Sequence, residues 1–298
     1  MSSVVGFGAL NLDKIYYVDK IPSKDEEGFV KDVIFSPGGS AANTIVGLSR
    51  LGIKTSYIGK IGGDEEGRIL FNDLLSEKVD TSCIIRAEGR SGVAMVFVDE
   101  KGNRAILVDP GVNDTIKFEE INIHEAKKYK MLHLTSFICK NGMDSFESQK
   151  KIVKEFELVS FDPGIPYAER GLKEMMPILK ETTIFLPSKT EIEILFGKDY
   201  REAVEECLSI GIEIVAVKLG EKGCYVRSKD KEIYLKPFAV KVVDTTGAGD
   251  AFNAGFIYGF LKGKNLETCA KYGNYVAAKC IEEFGARKGL PRSIDESL

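Results

Sequence analysis

The sequence predicts an α/β fold: a doubly wound, mostly parallel central sheet flanked by helices, with a small β-sheet attached. Three observations predict it. From Thr55 onward, short runs rich in β-branched and aromatic residues alternate with helical stretches, the rhythm of a parallel sheet covered on both faces. Two groups of strand-like segments, at about 14–37 and 90–110, have no helix between their members. Near the C-terminal end, a β-branched run, a glycine-bearing turn and an apolar stretch follow one another between Ala239 and Leu261.

The 298 residues read as a single domain, 1–298, large enough to bury a sizeable core. A composition of 44% hydrophobic and 29% charged residues is that of a soluble globular protein. A net charge of −4 argues against nucleic acid or an anionic membrane as partner. No apolar run approaches the ~20 residues of a membrane span, so a cytoplasmic protein is expected. The six cysteines form no CxxC pair, which removes metal-ligand spacing and favours buried, reduced thiols.

The chain opens on a strand at 4–8. Gly6-Phe7-Gly8 invites a dinucleotide reading, but no third glycine opens a helix and Asn11-Leu12-Asp13 follows instead. Asn11 and Asp13 suit hydrogen bonding to vicinal hydroxyls, or an Asx turn. Strand-like pieces at 15–18 and 29–34 are joined by a charged turn. The pieces at 92–98 and 104–108, around Asp99 to Asn103, read as a β-hairpin. Gly38 and Gly39 make a tight turn, and Ser40 caps a helix running to about Leu51, with Asn43 in its first turn. A strand at 57–59 and a helix at 64–78 follow, then strands at 131–134, 158–162, 183–187 and 214–218. His133 reads as a structural histidine near a strand end. In such sheets, ligands bind outside the carboxyl ends of the strands. Polar motifs fall there: Ser188 and Glu191 after one strand, and Lys218, Gly220 and Gly223 after the next.

The run Asp244-Thr245-Thr246-Gly247-Ala248-Gly249-Asp250 carries the chemistry. Residues 239–243 read as a strand and 251–261 as a buried helix. The turn between them aims backbone N–H groups at one point, and the helix start adds partial positive charge, so it can hold an anion. Asp250 is either a plain helix cap or a base beside that anion. A base with an anion hole is what phosphoryl transfer to a hydroxyl requires. The helix dipole predicts that Asp250 stays ionised. No Gly-Lys-Ser/Thr follows, so this is not a Walker A loop.

This run resembles the second signature of the ribokinase-like (PfkB) carbohydrate kinase family, Asp-Thr-x-Gly-Ala-Gly-Asp. Gly38 and Gly39 with Asn43 resemble its first signature. The resemblance spans nearly the whole chain and implies an ATP-dependent kinase acting on a sugar or nucleoside. It makes Asp250 the base and Gly247, Ala248 and Gly249 the anion hole. It gives Asn11, Asp13, Gly38, Gly39 and Asn43 to the sugar, and Ser188, Lys218, Gly220, Gly223 and Asn274 to the nucleotide. Glu191 would act on Mg2+ through water. Asp244, Thr246 and Gly285 would enclose a monovalent cation such as K+. The sheet at 14–37 and 90–110 would be a lid over the substrate and the surface of a homodimer. Two positions depart from the family pattern: Ser188 stands where Asn is usual, and Lys218 where Thr or Ser is common. Lys218 either reaches a phosphate or points to solvent. A sugar-phosphate kinase would take a lid cation, Arg90 or Arg104. A noncatalytic sugar-binding regulator would need neither Asp250 nor an anion hole.

Overall fold

Val4 and Val5 are neighbours on the first strand, yet each enters a different hydrophobic core. Successive strand side chains face opposite ways, so a sheet buried on both faces divides its apolar residues in this manner. The computed structural model describes residues 2–295. Its strands are β1 Ser3–Phe7, β2 Asn11–Val18, β3 Val30–Gly38, β4 Lys54–Ile61, β5 Ile84–Arg86, β6 Gly92–Val98, β7 Arg104–Asp109, β8 Met131–Thr135, β9 Leu158–Asp162, β10 Ile184–Phe185, β11 Ile214–Lys218, β12 Cys224–Ser228 and β13 Glu232–Leu235. Its α-helices are α1 Ser40–Arg50, α2 Glu65–Ser76, α3 Ile123–Ala126, α4 Asp144–Ile152, α5 Gly164–Ala168, α6 Leu172–Leu179, α7 Lys189–Phe196, α8 Tyr200–Ile210, α9 Ala248–Leu261 and α10 Leu266–Cys280.

The main sheet has the order β13-β12-β11-β10-β9-β8-β1-β4-β5. All pairs from β5 to β11 are parallel, and β12 and β13 add an antiparallel edge. This is the predicted doubly wound α/β fold. From β1 the chain first builds outward through β4 and β5, then returns beside β1 as β8 and builds the other way. The order therefore reverses at β1 and β8, the kind of point where a cleft opens beyond the strand ends. A second sheet, β3-β2-β6-β7, stands apart from the first. No helix among the described residues is long and apolar enough to cross a membrane.

Two local readings change. Residues 239–243 are not a strand. Val242 and Val243 are exposed, and the segment is tied by Val243 N–H donating to the Ile281 carbonyl (2.8 Å) rather than by a strand partner. β-branched residues give strand propensity, but a strand needs a neighbour. Ser40 does not cap α1; the cap position is Gly39, at φ 104°. A Cβ on Gly39 would lie 2.2 Å from the Ala9 carbonyl oxygen, so only glycine fits.

Helix α9 is buried nearly all round, between α1 and α10. Small residues let the backbones approach: a Cβ on Gly255 would lie 2.3 Å from the Tyr272 carbonyl oxygen. This closeness sets where the start of α9 sits. Gly255→Ala should therefore destabilise the fold by roughly 1–3 kcal/mol through overpacking. Chemical denaturation checks it, and an unchanged midpoint would contradict the tight α9–α10 contact.

Candidate active site

Gly247 occupies the cap of α9 in the left-handed region, φ 77°. A Cβ there would strike Ala286 at 2.5 Å. Ala248, Gly249 and Asp250 form the first turn of the helix, whose early N–H groups have no partner within the helix. Asp250 accepts a hydrogen bond from Asn43 Nδ2 (2.8 Å), and its carbonyl accepts from Thr44 Oγ1 (3.2 Å). Asn43 is in turn held by Arg287 Nε on its Oδ1 (2.7 Å), and Arg287 pairs with Asp73 of α2. Asn43 thus faces Asp250 directly. Burial raises the Asp250 carboxyl to about pKa 7, and the negative charge of Asp162 adds to it, against the Asn43 hydrogen bond and Lys218. The helix dipole does not keep this group at the low pKa expected from the sequence, because enclosure outweighs it.

Asn11 and Asp13 begin β2, paired with Gly38 and Ser36 of β3. A Cβ on Gly38 would lie 2.6 Å from Asp13 Oδ2, so glycine leaves room for that carboxylate. Burial raises Asp13 to about pKa 6, and Arg287 partly offsets this. Asn113, unpredicted and fully buried, donates to Asn11 Oδ1 (2.8 Å) and to the Leu10 carbonyl (3.0 Å), and so orients Asn11.

A cavity of about 280 Å³ opens beside Asp250, lined also by Ser40, Asp162, Ser188, Glu191, Lys218 and Gly249. Asn11, Asp13, Gly38, Gly39 and Asn43 are outside its lining. A second cavity of about 400 Å³ shares Lys218, Gly220 and Gly249 with the first. Its walls are mostly apolar, including Phe238, Val240, Phe252 and Ala277, with Gly223 and Asn274 among them. The 239–243 segment, expected as a strand, is one of these walls. Asn274 Nδ2 donates to the Lys236 carbonyl (3.1 Å) and holds that wall in place.

Lys218 does not point to solvent. Its Nζ donates to Asp162 Oδ2 (2.5 Å) and lies 3.5 Å from Asn253 Oδ1. A Cβ on Gly249 would be 3.4 Å from that Nζ, so the ammonium sits against the α9 turn. Burial alone would lower the lysine pKa; Asp162 and Glu191 overcome it and raise it. Ser188 and Glu191 form a reciprocal cap at the start of α7, Glu191 N–H to Ser188 Oγ (3.2 Å) and Ser188 N–H to Glu191 Oε2 (2.6 Å). Burial, then the charge of Asp162, raises the Glu191 pKa. Three carboxylates thus surround one ammonium, an excess of negative charge that suits a divalent cation. Among the described residues, no group of three or more His, Cys, Asp or Glu side chains is arranged to hold a metal alone. His133 is buried against Ser160 Oγ (2.9 Å) and pushed down to about pKa 4 by that burial, so it is neutral at pH 7.

Asp244, Thr246 and Gly285 do meet. Asp244 Oδ1 accepts from Thr246 N–H (3.0 Å) and Oγ1 (2.7 Å), and Oδ2 from Gly285 N–H (3.0 Å).

Asp162, Asn253, Asn113 and Arg287 join the site without having been expected there. Two carried a signal: Asp162 ends a strand, and Asn253 is a polar residue three positions after Asp250 on an otherwise apolar helix, hence on the same face. Arg287 and Asn113 carried none.

The profile of the pfkB family of carbohydrate kinases matches residues 1–293. The chain belongs to this family. An uncharacterized sugar kinase of Archaeoglobus fulgidus is 68% identical over 250 residues, 84% of this chain and 100% of the relative. An ATP-dependent ribose-1-phosphate kinase of Halopiger xanaduensis is 32% identical, over 96% of this chain and 94% of the relative. The crystal structure of ribokinase from Thermotoga maritima superposes with a TM-score of 0.88 at 28% identity, over 98% of this chain and 96% of that one. This pfkB-family chain is an ATP-dependent carbohydrate kinase.

Proposed function

We propose that the chain transfers the terminal phosphoryl group of ATP to a hydroxyl of a sugar, with Asp250 as general base and the Gly247–Gly249 turn as anion hole. The observation that carries this reading is a buried carboxylate of raised pKa in the same helical turn as the Gly249 N–H, beside the Gly247 cap, with Lys218 against that turn. The substrate hydroxyl gives its proton to Asp250 as its oxygen bonds to phosphorus. The bond from phosphorus to the bridging oxygen breaks, and ADP leaves with that electron pair. The turn amides and Lys218 stabilise the charge on the transferring group. Mg2+, when bound with the nucleotide, neutralises phosphate charge; Asp162 and Glu191 are the residues that would hold it, through water. The second cavity suits a purine, being apolar with few polar groups. Asn11, Asp13 and Asn43 would hydrogen-bond the sugar. Arg90 and Arg104 pair with Asp109 and Asp244, and a sugar phosphate would take one of them from its carboxylate.

The second sheet is proposed as a lid and a dimer surface. Its outer strands expose Ile34, Phe35, Ile106 and Leu107, each 45–59% accessible. Edge strands with this much exposed apolar surface pair or aggregate unless covered. Sedimentation velocity should show a dimer at micromolar concentration that Leu107→Glu dissociates. A wild-type monomer would exclude it.

Asp13→Ala should weaken sugar affinity while leaving nucleotide affinity intact, since it leaves polar partners unpaired at ~1–3 kcal/mol each. Calorimetry with each ligand decides, and unchanged sugar affinity removes Asp13 from the site.

Asp250→Asn keeps the shape and capping ability but removes the proton acceptor, so kcat should fall by about 10²–10⁴-fold. Because the group must be deprotonated to act and burial holds it at about pKa 7, wild-type kcat/KM should fall tenfold per unit as pH drops below that value, and level off above it. A well-folded Asn variant retaining more than about a tenth of wild-type kcat would defeat the base assignment.

A further inference from the structure

Asp244 stands between the α9 turn and the tip of the second sheet. On one side it stitches two backbone segments together, through Thr246 and Gly285 as above. Val243 N–H and Asp244 N–H both donate to the Ile281 carbonyl, at 2.8 and 3.3 Å. Cys280 Sγ lies 3.4 Å from the Ala286 carbonyl oxygen and 3.7 Å from that of Thr246. Segments 243–247 and 281–286 are therefore braced as one piece, and that piece ends in Gly247, the cap of α9.

On the other side, Arg104 Nη2 lies 3.6 Å from Asp244 Oδ1. Arg104 opens β7 and pairs with Val98 of β6, which pairs with Tyr17 of β2. Asn11, where β2 begins, is six residues from Tyr17, about 20 Å of strand. The sheet leaves the body near Asn11, and its far end returns to touch Asp244. The Arg104–Asp244 contact thus joins the far end of the second sheet to the segment that ends in the α9 cap. Asp244 is nearly buried and Arg104 is half-exposed. Burial raises the Asp244 carboxyl, but the Gly285 and Thr246 hydrogen bonds and Arg104 outweigh it and hold the group below the usual carboxylate range.

We propose that Arg104 is a positioning residue that couples closure of the second sheet to the geometry of the Gly247–Gly249 turn through Asp244. This rests on the reading of that turn as the phosphoryl site. A half-exposed ion pair contributes at most about 1 kcal/mol to stability, so its effect is on placement. Misplacing reacting groups by ~1 Å lowers a rate by up to about 10²-fold.

The test is steady-state kinetics on Arg104→Gln, Arg104→Lys, Asp244→Asn and the Arg104→Gln/Asp244→Asn double variant, at fixed KCl, with thermal melts. Arg104→Gln should lower kcat about tenfold with KM for ATP and Tm unchanged, and Arg104→Lys should restore most of it. In the Asp244→Asn background, Arg104→Gln should have no further effect. Wild-type kcat in Arg104→Gln, or a loss that multiplies with that of Asp244→Asn, would overturn the coupling. Failure of the phosphoryl-site reading is separate: it appears as retained activity in Asp250→Asn, whatever Arg104 does.

Discussion

The Lys218–Asp162 ion pair is the interaction on which the cleft depends. Lys218 has one ammonium for three carboxylates, Asp162, Glu191 and Asp250, all lining one cavity. Removing one partner of a buried pair leaves an uncompensated charge, at about 3–5 kcal/mol. Burial raises the pKa of the neighbouring carboxyls most, and the pair acts on top of it. Asp162 raises the pKa of both Glu191 and Asp250, while Lys218 lowers them. Asn253 completes the arrangement by donating to Asp162 Oδ2 (2.6 Å) from the same helix that carries Asp250. Strands β9 and β11 and helix α9 are thereby tied at the place where the strands end.

The helices around α9 give this electrostatic arrangement its geometry. Gly47 on α1 faces Ala254, and Gly255 on α9 faces the α10 backbone at Tyr272. With the helices this close, Asn43 of α1 reaches Asp250 of α9 directly. The chain Asp73, Arg287, Asn43, Asp250 then runs from α2 through the C-terminal segment into the cleft. Arg287 is buried, and its Nη2 has no hydrogen-bond partner among the described residues. Asn43 therefore has a fixed orientation: its oxygen accepts from Arg287, and one of its two amide N–H groups donates to Asp250.

Most of the architecture is legible in the sequence. Alternating apolar runs and helical stretches give β4, β8, β9, β10 and β11, because burial on both faces demands β-branched and aromatic residues along each strand; the short edge strand β5 carries no such signal. Gly38, Gly39 and Gly247 are legible because close approach or a left-handed backbone admits only glycine there, a steric rule local to the chain. Asp250 is legible as the acid beside such a turn, whereas the reciprocal Ser188–Glu191 cap appears only in the structure.

The strand and helix alternation, the two glycine turns and the acid at the start of α9 are thus written in the chain itself. Local sterics and short-range hydrogen bonds decide these. The tertiary structure alone decided the partners: Lys218 with Asp162, 56 residues apart, Asn113 with Leu10, 103 apart, and Arg287 with Asn43, 244 apart. It also decided that residues 239–243 form a cavity wall, since strand propensity acts only where a neighbouring strand accepts the hydrogen bonds. And it decided the pKa of Asp250, because the helix dipole is a property of the local chain, whereas desolvation and the charge of Asp162 come from segments that meet only when the sheet is assembled.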